Sequence, residues 1–470
     1  MEGNQRHVVI VGGGISGLAA AWFLSQGGAD RVRVTVLEGS PRIGGKLYAS
    51  EVAGIAVDEG AESMLARRPE GTELARAVGL GADLVHPGTT QASIYSRGVL
   101  RAMPKGQVMG VPGDLTELAR SGIVSPGGLL RVPLDQVLPA TLVRTDVSVA
   151  AYVRARMGSE VVDRLIEPLL GGVYAGRSDM LSLEATMPRI AAAARSERSL
   201  LGAVRDIVQE TPKDAGPVFA GLRGGLGSLP EAVAKASGAD IRTGVTVREL
   251  RRTQDGWRLV TGPVPRPEIV EADAVILATP ATPAARLLKD EVPKAAAELS
   301  RIEYSSMAIV TLAYPLAAFP SPPTGSGYLV PPVEGRPVKA ATFSSVKWPH
   351  LAASDPSVVV VRCSIGRIGE EQLLQRDDAE LVSLATAEMG EVAGVRGLPL
   401  DTRVTRWGGS LPQYNVGHLD RVARVRAAVT VEPGLAVCGA AYDGVGVPAC
   451  ISTARTAAAR ILDHLDGRGE

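Results

Sequence analysis

The chain has 470 residues, with 50 Lys and Arg against 50 Asp and Glu, so its formal net charge is zero. No basic stripe is present, which argues against nucleic-acid binding, and no apolar run reaches the 18 residues that a membrane-spanning helix needs. Three widely spaced cysteines and five scattered histidines give neither a disulfide framework nor metal-ligand spacing. We therefore expect a protein without a metal, in a reducing compartment.

A dinucleotide-binding motif opens the chain. The apolar run Val8–Val11 predicts a buried strand, and the segment Gly12–Gly17 leads from it into a helix. Gly12 allows a sharp turn, Gly14 lets a pyrophosphate approach the backbone, and Gly17 lets the helix pack closely on the strand. A second strand ends at Glu38, whose carboxylate is placed to accept a ribose 2′-hydroxyl. The helix that begins within the Gly12–Gly17 segment adds two candidate ligand residues in its first turn, Ile15 and Ser16.

A second glycine-rich loop follows directly. Gly39 begins it, and Arg42 precedes the pair Gly44 and Gly45, with Lys46 next. The glycines free the backbone to approach a ligand, and the cations offset its phosphates. Nicotinamide dehydrogenases have no general need for such a loop, so the pattern favours a different dinucleotide.

Strands related to this motif recur far along the chain. The pattern predicts strands at Thr243–Val247, Ala274–Pro280 and Leu435–Gly439, the last leading through Gly446, Val447 and Pro448 into a helix at Ala449–Leu465. A nucleotide domain built from remote segments must be discontinuous. The predicted boundaries are 1–91, 218–280 and 432–470 for this domain, 92–217 for a mainly helical insertion, and 281–431 for a substrate domain.

The two insertions differ in pattern. In the first, helices are predicted at Val149–Met157, Glu160–Leu170 and Glu184–Val208. The second alternates like strands at Ala308–Tyr314 and Val358–Cys363, and a helix is predicted at Glu370–Glu388.

This set of motifs resembles the FAD-binding family that contains amine oxidases, phytoene desaturases and porphyrinogen oxidases. The resemblance implies an α/β fold with a discontinuous Rossmann-type FAD-binding domain, a helical insertion and an α+β substrate domain, and FAD as cofactor. In that family a helix N-terminus near the flavin stabilises its anionic reduced form. The resemblance adds these candidate FAD contacts: Gly60, Ala61, Glu62, Ser63, Val245, Val247, Trp407, Gly439, Gly446, Val447 and Pro448.

Further stretches resemble the porphyrinogen oxidases of haem synthesis. They are Asp58–Pro69, Glu167–Gly176 and Trp407–His418. The resemblance implies that Gly171, Gly172 and Tyr174 line a tetrapyrrole cavity. Many eukaryotic members carry an arginine for a substrate propionate near Ser93 and Ile94, but neither position is arginine here. Either Arg67 or Arg68 takes over the propionate contact, or the substrate differs.

The expected reaction is oxidation of coproporphyrinogen III to coproporphyrin III by FAD, with dioxygen as acceptor and no catalytic base assigned. Protoporphyrinogen IX oxidation is the first alternative. A flavin amine oxidase, a carotenoid-type desaturase and a flavin-bound scaffold of the haem pathway stay open. The expected location is the cytoplasm, with peripheral contact at the inner membrane face and transient contact with ferrochelatase-type enzymes left open.

Overall fold

The computed structural model describes residues 5–141, 143–210, 212 and 216–467. The strands in chain order are β1 (Arg6–Val11), β2 (Val32–Leu37), β3 (Ala49–Val52), β4 (Ile55–Asp58), β5 (Met64–Leu65), β6 (Leu84–Val85), β7 (Ala92–Ser96), β8 (Val99–Ala102), β9 (Gln107–Val108), β10 (Val111–Pro112), β11 (Phe219–Leu222), β12 (Asp240–Arg242), β13 (Glu249–Arg252), β14 (Trp257–Thr261), β15 (Glu268–Ala272), β16 (Ala274–Leu277), β17 (Tyr304–Pro315), β18 (Gly327–Leu329), β19 (Val338–Phe343), β20 (Val358–Ile365), β21 (Asp401–Pro412) and β22 (Leu435–Val437).

The helices in chain order are α1 (Ile15–Gly28), α2 (Pro69–Ala77), α3 (Leu115–Ser121), α4 (Pro126–Arg131), α5 (Val149–Met157), α6 (Ser159–Val161), α7 (Glu167–Tyr174), α8 (Leu183–Thr186), α9 (Pro188–Ser196), α10 (Leu200–Glu210), α11 (Ser228–Ser237), α12 (Ala281–Leu288), α13 (Pro293–Leu299), α14 (Ser344–Lys347), α15 (Pro349–Ser354), α16 (Asp378–Ala393), α17 (His418–Thr430) and α18 (Val447–Asp466).

A parallel sheet of order β12-β2-β1-β16-β22 is assembled from the start, the middle and the end of the chain. Its central strand β1 is apolar on both sides because both faces are covered. Val8 and Ile10 pack with α1 and α18, while Val9 and Val11 pack with α12 and α13. The predicted Rossmann-type sheet, built from remote segments, is confirmed.

The second large sheet has the order β21-β17-β20-β19-β18-β7-β8. One face packs against α16 in an apolar core that includes Val310, Leu312 and Val361. The predicted strands at Ala308–Tyr314 and Val358–Cys363 lie inside β17 and β20. Two strands that precede the helical part, β7 and β8, complete this sheet at its edge.

The helical part comprises α3 to α10 around a core of its own. The predicted helix at Val149–Met157 is present with those bounds. The one predicted at Glu160–Leu170 runs from α6 through a π-helical turn at Val162–Ile166 into α7.

The amphipathic stretch predicted to be helical at Glu184–Val208 is divided among α8, α9 and α10. Pro188, which lacks an N–H, starts α9, and the Ser199 hydroxyl accepts from Gly202 N (3.1 Å) at the start of α10. The helix predicted at Glu370–Glu388 begins later, at Asp378, where Asp377 forms a capping box with Glu380.

None of the helices within the described residues combines the length and the apolar character needed to cross a bilayer.

Candidate flavin site

The three glycines of the first motif have different surroundings. A Cβ at Gly17 would lie 1.9 Å from Gly12 O, and one at Gly12 would lie 2.7 Å from Ala278 O. A Cβ at Gly14 would meet nothing within 4 Å, and its backbone faces a cavity. Two glycines therefore permit tight packing of strand and helix, while Gly14 leaves room for a ligand against the backbone.

Glu38 stands at the carboxyl end of β2 and lines the same cavity. One carboxylate oxygen accepts from Gly13 N (2.6 Å), and the other accepts from Ser40 N (2.8 Å). These two bonds fix the carboxylate beside the glycine turn. Each oxygen keeps a second lone pair for a hydroxyl donor.

The second glycine-rich loop is joined to the first, because Gly44 N donates to Gly13 O (2.8 Å). Arg42 donates to Gly45 O (2.9 Å), and its guanidinium lies 4.3 Å from the Tyr48 ring centroid. Lys46 lines the cavity, and burial lowers the pKa of its amine. The loop thus places two cations in the wall of the cavity that Gly14 also lines, where they could offset phosphates.

The middle segment reaches the cavity in an irregular conformation. The strand predicted at Thr243–Val247 is wrong: these residues link β12 to β13, and Gly244 has a φ of +71°. Its N–H donates to Ser40 O (2.8 Å), and Val245 N donates to Glu38 O (2.8 Å). These bonds place Val245 and Val247 in the cavity wall.

The C-terminal segment closes the other side. Gly439, with a φ of +124°, follows β22, and its N–H donates to the Thr453 hydroxyl (3.0 Å). Helix α18 begins at Val447 without a side-chain cap, and Val447 and Cys450 both line the cavity. The positive end of a 20-residue helix therefore faces the enclosed space.

The cavity has a volume of about 580 Å³, within the range for small-molecule and cofactor sites. The structure brings sixteen of the predicted cofactor residues into its wall: Gly12, Gly14, Ile15, Ser16, Glu38, Gly39, Arg42, Gly44, Gly45, Lys46, Ala61, Val245, Val247, Trp407, Gly439 and Val447. Six others lie outside the wall: Gly17, Gly60, Glu62, Ser63, Gly446 and Pro448.

Sequence reasoning missed part of the wall. Ala278 to Pro280 follow β16 at the carboxyl edge of the sheet, where ligands of open α/β sheets bind, so that rule could have found them. Tyr304, Arg286 and Gly408 to Ser410 also line the cavity. They come from the segment predicted to form the substrate domain. Gly408 to Ser410 lie within the family-like stretch Trp407–His418, whereas no local motif marks Tyr304 or Arg286.

The comparisons with known proteins decide the family. Residues 15–462 match the family of flavin containing amine oxidoreductases. The chain belongs to this family. That membership confirms the predicted oxidoreductase class and the predicted FAD cofactor, and the glycine cradle, the two cations and the helix start fit such a group.

Full-length relatives support the assignment. Coproporphyrinogen III oxidase of Mycobacterium tuberculosis (strain ATCC 25618 / H37Rv) is 38% identical and covers 99% of each chain. Its counterpart in Bacillus subtilis (strain 168) is 33% identical over 99% of this chain and 100% of its own. A crystal structure from Exiguobacterium sp. 255-15, provisionally described as a protoporphyrinogen oxidase, is 33% identical with a TM-score of 0.86, covering 98% of this chain and 99% of that one.

The segment from Asp58 to Glu62 forms a rigid platform next to the flavin cavity. Glu59 is fully buried and accepts from the Thr405 hydroxyl (3.0 Å), and its carbonyl accepts from Trp407 Nε1 (2.8 Å). A Cβ at Gly60 would lie 1.9 Å from Lys46 O, which explains a glycine there without ligand contact. Trp407 and Lys46 are thereby held in the cavity wall.

Two carboxylates of this platform have opposite pKa shifts. Burial raises the pKa of Asp58 to about 6, although Leu226 N and Gly227 N donate to it. Burial would also raise the pKa of Glu62, but Lys347 and Arg362 outweigh it and hold the pKa at about 2. Glu62, a predicted cofactor contact, is therefore a fixed anion within an ion-pair triad.

The predicted substrate residues lie outside the cofactor cavity. Gly172 belongs to α7, where an added Cβ would lie 3.5 Å from Leu329, and a Cβ at Gly171 would meet nothing within 4 Å. Arg67 is exposed, and Arg68 pairs with Glu70 (2.9 Å). The structure thus places the glycines at the second sheet and the two arginines elsewhere.

Tyr174 connects α7 to the cavity wall. Its carbonyl accepts from the Ser305 hydroxyl (3.0 Å) and from Gln413 Nε2 (2.8 Å). Ser305 directly follows Tyr304, which lines the cavity, so the last residue of α7 bonds to the neighbour of a wall residue. The Tyr174 ring is buried, 5.6 Å from the Tyr414 ring, in the helical core.

Among the described residues, no group of three His, Cys, Asp or Glu side chains could hold a metal ion.

Proposed function

We propose that this chain oxidises coproporphyrinogen III to coproporphyrin III in haem biosynthesis, with dioxygen as the electron acceptor. The observation that carries the proposal is the full-length similarity to proteins named coproporphyrinogen III oxidase, together with a flavin cavity whose wall residue Tyr304 is followed by Ser305, which donates to Tyr174 O at the end of α7. Six electrons leave the macrocycle, so three molecules of dioxygen are reduced to hydrogen peroxide for each porphyrin formed.

When bound, FAD supplies the two-electron acceptor at which a substrate hydride is received. The protein's contribution is placement and exclusion of water. Tyr304 and Val445 line the cavity on the side of α7: Tyr304 precedes Ser305, whose hydroxyl donates to Tyr174 O (3.0 Å), and Val445 packs against the helical core. We place the reacting carbon of the substrate on this side.

Nearby side chains are unsuited to act as a base. Burial raises the pKa of Tyr174 to about 12, so its phenol stays protonated. Burial lowers the pKa of His418 to about 4, and its ring stacks 4.0 Å from Tyr414 with Nε2 bonded to Tyr442 O (3.0 Å). Porphyrinogen N–H protons can leave by tautomerisation, so the proposal assigns none of these residues a proton-transfer role.

The FAD contacts, the substrate contacts at Gly171, Gly172, Tyr174, Arg67 and Arg68, and the domain boundaries predicted above belong to the same proposal. We also propose a cytoplasmic location, supported by three free and buried thiols. We also propose two means of passing on the product: peripheral membrane contact and transient contact with a ferrochelatase-type enzyme. A pull-down with that enzyme tests the enzyme contact.

The provisional description of the Exiguobacterium structure favours protoporphyrinogen IX as a second candidate. Oxidation of both porphyrinogens should be followed side by side by porphyrin fluorescence, with amines as a control. We expect a higher kcat/KM for coproporphyrinogen III. Faster turnover of protoporphyrinogen IX would select the second candidate, and turnover of amines alone would refute both.

A further inference from the structure

One face of the second sheet lies against the turn that ends α7. Strand pairing places Leu329 opposite Ala340, and Ala340 opposite Ser364, so the three side chains share a face. Leu329 is the residue nearest Gly172, and Ile368 N, just after β20, donates to Ala175 O (2.9 Å). This face is therefore directly beside the Gly171–Ala175 turn.

A β-bulge interrupts this face at Lys339. Pairing between β19 and β20 shifts between Val338 and Ala340, and Lys339 is the extra residue. Its side chain is only 4% exposed, and its Nζ has no hydrogen-bond partner among the described residues. The hydroxyl of Ser364, the residue paired with Ala340, also has no hydrogen-bond partner among the described residues, and Ser364 is 9% exposed. Two buried donors thus lack acceptors at one bulge.

The charges around Lys339 are not balanced. Arg367 is buried as well, and its guanidinium donates to Val330 O (3.0 Å) and to Glu370 (3.1 Å). Burial and the positive charge of Arg367 lower the pKa of Lys339 to about 7, with Glu370 the opposing influence. Two buried cations share one partly exposed carboxylate, and an isolated buried cation is unfavourable unless an anion joins it.

Arg367 and Glu370 also bound a cavity of about 340 Å³, together with Glu167, the first residue of α7, and Ser178, which follows α7 in the chain. Because Ile368 N, next to Arg367 in the chain, donates to Ala175 O (2.9 Å), the Arg367 side of this cation pair lies close to the Gly171–Ala175 turn. The donors gathered there are an ammonium, a guanidinium and a hydroxyl, a set that recognises carboxylates.

Resting on the proposed function, we infer that Lys339 anchors a carboxylate of the tetrapyrrole, with the Ser364 hydroxyl donating a second hydrogen bond. Lys339 is thus a specificity-determining residue additional to Arg67 and Arg68, which directly precede α2. A substrate with four carboxylates can place one at this bulge more readily than a substrate with two.

The test measures equilibrium binding of three porphyrins to the flavin-loaded protein by fluorescence quenching: coproporphyrin III, protoporphyrin IX and coproporphyrin tetramethyl ester. K339M should weaken coproporphyrin III binding about tenfold or more, since a charge-assisted hydrogen bond is lost. The ester, which has no carboxylate, should bind both proteins equally. K294M, which changes an exposed lysine at the start of α13, should bind all three like the wild type.

A second variant and a stability measurement separate anchoring from packing. S364A should weaken coproporphyrin III binding about threefold to tenfold and leave the ester unchanged. Without ligand, K339M should melt at a higher temperature than the wild type, because a buried unpaired charge has been removed. If K339M does not fold, S364A alone decides the inference.

Equal weakening of coproporphyrin III binding and ester binding, or unchanged binding of coproporphyrin III, would overturn the anchoring role. The proposed function stays intact in that case if the wild type still oxidises coproporphyrinogen III. A wild type that binds none of the porphyrins would overturn both.

Discussion

Replacing Glu62 with glutamine removes the only carboxylate that pairs with both Lys347 and Arg362 among the described residues. Glu62 bonds to Lys347 and to Arg362 (2.7 Å), and the three side chains are 7% to 16% exposed. Arg362 also donates to Gly60 O (2.6 Å), which ties the triad to the Asp58–Glu62 platform next to the flavin cavity. E62Q therefore leaves two nearly buried cations without a counter-charge.

The pKa shift of Glu62 gives the size of the expected loss of stability. A fall from 4.5 to about 2 corresponds to about 3 kcal/mol of stability, since one pKa unit is about 1.4 kcal/mol. Loss of one partner of a buried ion pair costs about 3–5 kcal/mol by comparison. Because the folded-state pKa is depressed, this stabilisation is fully present above about pH 5 and is lost as the pH falls toward 2.

Urea unfolding followed by tryptophan fluorescence measures the change, since Trp348 and Trp407 lie close to the triad. At pH 7, E62Q should lower the free energy of unfolding by about 3 kcal/mol. Between pH 5 and pH 3, the wild type should lose stability more steeply than the variant. E271Q, which breaks the exposed pair with Arg258, should cost less than about 1 kcal/mol.

The reasoning is refuted if E62Q matches E271Q at pH 7, or if the variant keeps the wild-type slope in acid.

Three further variants test the cofactor cradle through flavin content and FAD affinity. G14A should fold with the wild-type circular dichroism spectrum but bind FAD at least about tenfold more weakly, because its methyl group fills the space left for a phosphate; unchanged affinity would contradict this. G17A should lower the unfolding midpoint as well, since its Cβ would lie 1.9 Å from Gly12 O, and an unchanged midpoint would count against the packing argument. E38Q should weaken FAD binding about tenfold, as one anionic acceptor is lost, and tighter binding would disprove the ribose contact.

The cradle could be predicted because its signals are local. A strand, three spaced glycines, a helix and a terminal carboxylate lie within the first 38 residues, and each residue type answers a steric or hydrogen-bonding need. The carboxyl ends of β1, β2, β16 and β22 then meet at one edge of the parallel sheet. For that reason even the remote segments could be assigned to the same site.

Long-range contacts determine the features of the site that could not be predicted from the sequence. Glu62 forms its pairs with residues 285 and 300 positions away, so the sequence around it cannot distinguish an ion-pair triad from a ligand contact. At Thr243–Val247 the strand-like alternation is overridden because the backbone bonds to the Glu38–Ser40 loop. The bulge at Lys339 has no local signature, since it arises from the pairing of β19 with β20.

Anaerobic titration of the purified flavoprotein with coproporphyrinogen III tests the central claim most directly. The account predicts that the yellow absorbance of the oxidised flavin disappears and that porphyrin fluorescence appears, with about three flavins reduced for each porphyrin formed, as two-electron chemistry at one FAD per chain requires. A flavin that stays oxidised while the porphyrinogen is bound, or a protein that cannot be loaded with FAD, would contradict it.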